Sequence, residues 1–485
     1  MSELRKKVFK HLGIQTFGRI IFVILGLLVI SLMMRYLGPQ NYGYYSIAIA
    51  FLQIFGIVAD FGLYLITLQY LGAIETEPKE KQQEKTDYVM GNLFAMRFFL
   101  ALIFYGLAVL VGFCFPFPLI VKVGILILSL SLFFCTLIQH LSALYQKMFE
   151  TQEIFKGEVL GRIILLGLML LFVVFNFGFY YVLLSFGLAN FINFLVLYFY
   201  SRRLARLRFR FDFLFWREVL GKVWPIGLAI VLNVIYFKAD TLILFFYRPA
   251  ADVGYYGAAY RVFEALIAFP SLFLGLVLPQ LAKTWLAKEK ENFRSIFQRS
   301  FDFLVMISIP FVFGSLAIGR EAMIVIGGPQ FGVAGEILKV ISLAAGILFV
   351  GELFKQAMII LNKQKNVLPF YLINTVVALI GYFIFIPLYS YWGAAWVTFS
   401  VELLMFVIML LYFYKQTGIM PQINFLVKSF FSGLIMFIFL FLFKNLNLFI
   451  LAASGISLYF FILFLIGGLK KQEIEDLFEG KLKIA

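Results

Sequence analysis

Apolar runs of roughly 20 residues follow one another along this chain, broken only by short polar connections. A helix of that length crosses the hydrocarbon layer and satisfies its own backbone hydrogen bonds. Of the 485 residues 63% are hydrophobic and only 14% are charged, and the mean hydropathy is +0.96. No soluble domain hides so much apolar surface, so the expected fold class is an all-α integral membrane protein. About fourteen transmembrane helices can be read. They begin near 14–36 and 44–66, pass through 224–247, and end near 447–468. The first is too long for a signal-peptide core and lacks a small-residue cleavage site, so it is expected to be retained. Cys114 and Cys135 lie inside apolar segments and imply neither a disulfide framework nor a metal site.

Two phrases recur at nearly equal spacing. Gly43-Tyr44-Tyr45-Ser46-Ile47-Ala48 returns 211 residues later as Gly254-Tyr255-Tyr256-Gly257-Ala258-Ala259, and Leu197-Tyr198-Phe199-Tyr200 returns after 214 as Leu411-Tyr412-Phe413-Tyr414. Each copy sits at an equivalent end of an apolar segment, which suggests a duplicated bundle, a common transporter plan. The expected division is an N-terminal six-helix lobe at 1–200 and a basic linker at 201–223. A pseudo-symmetric six-helix lobe follows at 224–415, then two additional helices and a tail at 416–485.

Loop cations set orientation. With fourteen spans, 29 Lys and Arg residues fall in the termini and the connections on their side, against Arg35, Lys122, Arg248, Arg320 and Lys444, 5 in all, on the other. Both termini are therefore expected in the cytoplasm, with the chain multi-pass in the cell membrane. The same bias accounts for the net charge of +15 without a nucleic-acid partner, because these cations meet anionic membrane lipids. The basic stretch Arg202–Lys222 reads as the inter-lobe linker, an amphipathic helix at the membrane surface.

The run Arg35-Tyr36-Leu37-Gly38-Pro39-Gln40-Asn41-Tyr42-Gly43-Tyr44-Tyr45 resembles the R-x-LGP-x-x-YG-x-Y opening of Wzx-type polysaccharide-exporting flippases. These belong to the multidrug/oligosaccharidyl-lipid/polysaccharide exporter superfamily. Ala59-Asp60-Phe61-Gly62-Leu63 looks like that family's ADFGL segment. Tyr236-Phe237-Lys238-Ala239-Asp240-Thr241, Val253-Gly254-Tyr255-Tyr256 and Ala259-Tyr260-Arg261-Val262 are similar to its D…VG-x-Y…AYR pattern. These matches cover the start of each half. The resemblance implies two six-helix lobes in a V around a central cavity. It also implies a substrate, a polyprenyl-diphosphate-linked glycan, and partners in polysaccharide polymerase and export machinery.

Ionisable groups inside spans cost about 2.5–3.5 kcal/mol on insertion scales and usually face a cavity or a partner. A diphosphate needs cations along its path, and Arg offers a forked, always-charged partner for phosphate. Arg19 and Arg97 would receive the head group from the cytoplasm, and Lys238 and Arg261 would hold it deeper. The blander reading pairs such cations with carboxylates: Asp60 balances Arg19 or Arg97, Glu264 neutralises Arg261, and Glu352 neutralises Lys355, each of the latter pairs three apart. Arg162 reads as a snorkelling side chain, His140 as a packing residue, and Glu402 falls near the middle of its span. Asp240 shares a face with Asn233 near mid-membrane, and with Asp60 these are the candidates for coupling to H+ or Na+.

No G-x-x-x-x-G-K-[ST] loop occurs, so no other cofactor is expected and the driving force would be an ion gradient, the membrane potential or removal of product. The leading function is a flippase for lipid-linked oligosaccharide serving capsule, O-antigen or a similar glycan. An ion-coupled multidrug antiporter and a lipid II flippase stay open as alternatives. So does a membrane-embedded glycosyltransferase or polymerase, although the longest connections, about 20 residues, are short for a catalytic loop. No catalytic constellation is visible, and a non-enzymatic protein is expected.

Overall fold

The computed structural model describes residues 2–74, 77–148 and 150–468. Among the described residues there is no strand, and fourteen helices follow in order. They are α1 (Ser2–Asp60), α2 (Leu63–Ile74), α3 (Lys79–Cys114), α4 (Leu119–Lys147), α5 (Thr151–Val174), α6 (Phe179–Ser201) and α7 (Phe213–Tyr247). Then come α8 (Ala250–Leu286), α9 (Lys290–Gly327), α10 (Gly332–Ile360), α11 (Gln364–Tyr389), α12 (Tyr391–Thr417), α13 (Asn424–Leu442) and α14 (Leu448–Leu465). Twelve helical stretches of the described residues are long and apolar enough to cross a membrane. The first of them, Ile24–Ile74, holds two of the spans read from the sequence, and α7 has the length for another with its 35 residues. The protein is an all-α, multi-pass membrane protein.

The break inside α1 has a local cause. Gly38 takes φ 67° and ψ 174°, outside the helical region. A residue before proline is pushed out of the helical basin, Pro39 supplies no N–H, and glycine accepts positive φ without a Cβ penalty. The second interruption falls between α1 and α2, where Phe61 (φ 42°) and Gly62 (φ 83°) are both left-handed. Phe61 pays a steric cost there that glycine avoids. Its ring is seated on Gly227 of α7, where a Cβ would lie 2.5 Å from the ring.

The chain packs as two compact units, residues 1–254 and 255–485. In the first, Leu63, Ile66, Met90, Leu93, Leu144, Tyr145 and Leu197 form a core joined by Val219 and Val223 of α7. Tyr36 closes the opposite end of this unit: it donates to Asn176 Oδ1 at 2.8 Å and accepts from the Gly178 N–H at 3.0 Å, fixing the turn into α6. In the second unit Leu304, Phe354, Met409 and their neighbours bind α8, α9, α10 and α12 into one core, with Phe297 stacked on Phe413 at 4.4 Å. The last two helices pack on α9, through Phe313 against Phe437 and a Tyr459 hydroxyl that donates to the Met306 carbonyl at 3.1 Å.

One expectation is corrected. The basic connection after α6 is not an amphipathic helix: residues 205–212 carry no regular structure, and α7 begins at Phe213, within the stretch read as a linker. The reason is its pattern. Ala205, Leu207, Phe209 and Phe211 alternate with Arg206, Arg208 and Arg210, which is a period of two, not 3.6.

Candidate functional site

The leading glycines of one repeated phrase meet. Gly43 near the start of the second arm of α1 lies against the carbonyl of Ala250, and Gly254 in the first turns of α8 lies against the carbonyl of Pro39. A Cβ on either glycine would stand 3.1 Å from the other's backbone nitrogen. The contact is reciprocal: in each copy the carbonyl four residues before the glycine touches the glycine of the other. All four residues belong to the first unit. Only residues without a side chain allow backbones this close.

Within each unit some of the intramembrane charges fall into pairs. In the first unit Arg97 of α3 has no exposed surface and forms an ion pair with Asp60, the last residue of α1 before the left-handed break. Arg97 thus ties α3 to the point where α1 gives way to α2. His140 is buried nearby on α4, with Nε2 3.3 Å from the Met90 carbonyl and its ring beside Phe94. On α7, Asp240 is fully buried, and its Oδ1 accepts from the Thr241 N–H at 2.5 Å and hydroxyl at 3.1 Å. Lys238 is half-buried, two residues earlier on the same helix. Arg162 stacks over the Phe22 ring at 4.5 Å. The side chains of Arg19 and Asn233 lie outside the described residues.

In the second unit Arg261 and Glu264 bond at 2.7 Å along α8, both half-buried. Lys355 departs from the partner that spacing suggests. It reaches across from α10 to Glu402 of α12 at 3.6 Å, whereas Glu352 accepts from Gln356 at 2.8 Å. Glu402 is only 2% exposed, and Tyr371 of α11 stands close enough to feel all three charges. Sequence reasoning placed Glu402 in mid-span and missed this link, because helix spacing reveals neighbours on one helix and says nothing of the next. Among the described residues no group of three His, Cys, Asp or Glu side chains could hold a metal ion.

Each unit therefore contains at least one cation held by a carboxylate from another helix, the buried Arg97 with Asp60 and the partly buried Lys355 with the buried Glu402. Such pairs satisfy charges that the hydrocarbon would penalise.

Comparison with known proteins gives the family. Residues 32–334 match the family model described as polysaccharide biosynthesis protein. The chain belongs to that family. No curated protein matches it. Among solved structures it is similar to lipid II flippase MurJ in an inward closed conformation, with a TM-score of 0.72 and 17% identity over 94% of this chain and 98% of that one. It also resembles an inward-facing multidrug resistance MATE family transporter of the MOP superfamily, at a TM-score of 0.66 and 14% identity over 81% and 95% of the two chains. The MATE transporter VcmN from Vibrio cholerae in its bent form follows at 0.52 and 15%, over 86% and 98%. The fold is that of the multidrug/oligosaccharidyl-lipid/polysaccharide exporters, as the motifs around Gly38 and Asp60 imply.

Proposed function

We propose that this protein is a flippase that moves polyprenyl-diphosphate-linked oligosaccharide from the cytoplasmic to the outer leaflet by alternating access, for surface polysaccharide biosynthesis such as capsule or O-antigen. The observation that carries the reading is the family match across 32–334 on an exporter fold. Cations inside the spans suit the cargo, since a diphosphate cannot cross about 30 Å of hydrocarbon unaided. In this reading the two lobes run from 1–200 and 224–415, both termini are cytoplasmic, and no enzymatic step is involved. Arg97 and Arg261 are held by Asp60 and Glu264 when no substrate is present, and the diphosphate takes the place of the carboxylates as the head group passes. Lys238 and Arg19 complete the path. Asp240, buried on α7, is the group through which H+ or Na+ is coupled, with Asn233 on its face.

A second reading, lipid II transport, is supported by the likeness to MurJ over nearly the whole chain. Both cargoes carry a polyprenyl diphosphate, so the same cations serve either. Deleting the gene in its host separates them: the flippase reading expects loss of surface glycan with lipid-linked oligosaccharide accumulating at the inner leaflet. Arrest of cell-wall synthesis with surface glycan intact would favour lipid II and contradict the first reading.

A further inference from the structure

Between α6 and α7 the chain runs as a strap along α3. The Leu204 carbonyl accepts from Gln83 Nε2 at 3.1 Å, the Arg206 N–H donates to Asp87 Oδ1 at 2.9 Å, and the Asp212 N–H donates to Asn92 Oδ1 at 2.9 Å. The Arg208 carbonyl lies on Gly91, where a Cβ would stand 2.5 Å away. An extended backbone sends alternate side chains to opposite sides. On one side Ala205 and Leu207 are buried in the core, and Phe209 and Phe211 continue that row against Phe98 and Phe99 of α3, at 5.4 and 5.9 Å. Phe209 and Phe211 nevertheless stay 47% and 53% exposed, and Phe213 and Leu214 just beyond are 71% and 81% exposed. On the other side stand Arg206, Arg208 and Arg210, all exposed. Among the described residues no carboxylate pairs with any of the three. Arg210 rests over the Tyr88 ring at 5.7 Å.

These two rows ask for one partner with two chemistries. Four large apolar side chains lie open together, and burying them is worth about 25 cal/mol per Å² of apolar surface. Three arginines beside them have guanidinium groups that no carboxylate pairs with among the described residues. The Arg206 carbonyl accepts from the Arg208 N–H at 2.9 Å, a tight turn at Leu207, and residues two apart on extended chain are separated by roughly 6.6 Å, so the three stems follow one another in a row of at most about 13 Å. A single diphosphate is held by donors that converge on it, whereas a row meets several head groups side by side. We propose that the strap 205–214 is a docking edge for anionic phospholipid. Its aromatic side chains enter the acyl layer, and each arginine takes a head-group phosphate in the leaflet that the loop-charge bias assigns to the cytoplasm. Because the strap leads directly into α7, the anionic lipid content of that leaflet sets how firmly the start of α7 is held on α3. This contact is independent of which cargo the protein carries.

The test uses the full-length protein in nanodiscs of phosphatidylcholine alone or mixed with phosphatidylglycerol, and reads backbone hydrogen exchange at 205–214 together with the thermal unfolding midpoint. Phosphatidylglycerol is expected to slow exchange of the strap and raise the midpoint, with each arginine contributing roughly five-fold to binding an anionic surface. Arg206→Gln with Arg208→Gln should abolish most of this lipid effect while leaving the phosphatidylcholine values unchanged, since neither side chain has an ion-pair partner among the described residues. The double Lys variant should keep most of it, because a membrane surface responds to charge more than to a guanidinium fork. Equal exchange in the two lipid mixtures, or an undiminished response in the double Gln variant, overturns the proposal. Protection by stoichiometric polyprenyl diphosphate in phosphatidylcholine, where phosphatidylglycerol gives none, also overturns it and makes the strap a cargo entry site.

Discussion

Arg97 and Asp60 show what a charge must find before it can sit inside a bilayer protein. Arg97 has no exposed surface, and its ion pair with Asp60 closes the break between α1 and α2. Removing one partner of such a pair strands the other and costs about 3–5 kcal/mol, whereas removing both costs much less. Arg97→Gln alone should therefore lower the unfolding midpoint in detergent strongly, and Arg97→Gln with Asp60→Asn should recover most of the loss; additive losses would show that the pair is not the source of stability. Asp212 illustrates a charge outside the membrane. It caps α7 by accepting from the Leu214 and Phe215 N–H groups at 3.0 Å, and it also accepts from the Tyr88 hydroxyl. The Tyr88 bond, then the backbone bonds, hold its carboxyl below the ordinary carboxylate range. A carboxyl with a depressed folded pKa contributes stability that is complete above its unfolded value, about 3.9, and is lost as pH falls through the lower folded value. Asp212→Asn should thus lower stability at neutral pH and flatten the fall below about pH 4. An acid limb identical to that of the unaltered protein would refute this role.

Helices were largely legible from the apolar runs, because in lipid a helix is the only way for a lone segment to satisfy its backbone. What the runs conceal is how helices meet. The repetition of Gly43 and Gly254 is visible in the sequence, but that each glycine receives the other copy's carbonyl is a tertiary fact. Substituting Ala or Val at either position drives a Cβ into backbone, and overpacking of this kind costs about 1–3 kcal/mol. Gly43→Val and Gly254→Val should each reduce folded yield and unfolding midpoint, whereas valine at Gly26, which has open space around it, should do neither. Unchanged stability in both motif variants would mean that the crossing is dispensable. The partner of Lys355 was hidden for a related reason: Glu352 shares its helix face, yet the ammonium goes to Glu402 on α12. The strap was legible and misread, since its alternation of Arg with Leu and Phe carries the two-residue period of extended chain.

Across the whole molecule, the family and the exporter fold were within reach of the Gly38-Pro39 and Asp60-Phe61-Gly62 motifs, because both mark breaks where helical continuity ends for a stated physical reason. Cargo was not, since sugar identity leaves no pattern in helix spacing. Orientation rests on the bias of 29 cations to 5. Reporter fusions at Lys222 and after the last residue should both report the cytoplasm, and an external signal at either would reverse the topology. The central claim is transport of a lipid diphosphate, and it is tested most directly with the purified protein in liposomes carrying a fluorescent polyprenyl-diphosphate oligosaccharide on the inner leaflet. The account predicts that the label becomes accessible to a membrane-impermeant quencher well above the protein-free rate. It also predicts that Arg261→Glu abolishes the gain, even when Glu264→Arg restores the ion pair. A rate no higher than that of protein-free liposomes would contradict the flippase account, and full activity in the swapped pair would reduce Arg261 to a structural partner of Glu264.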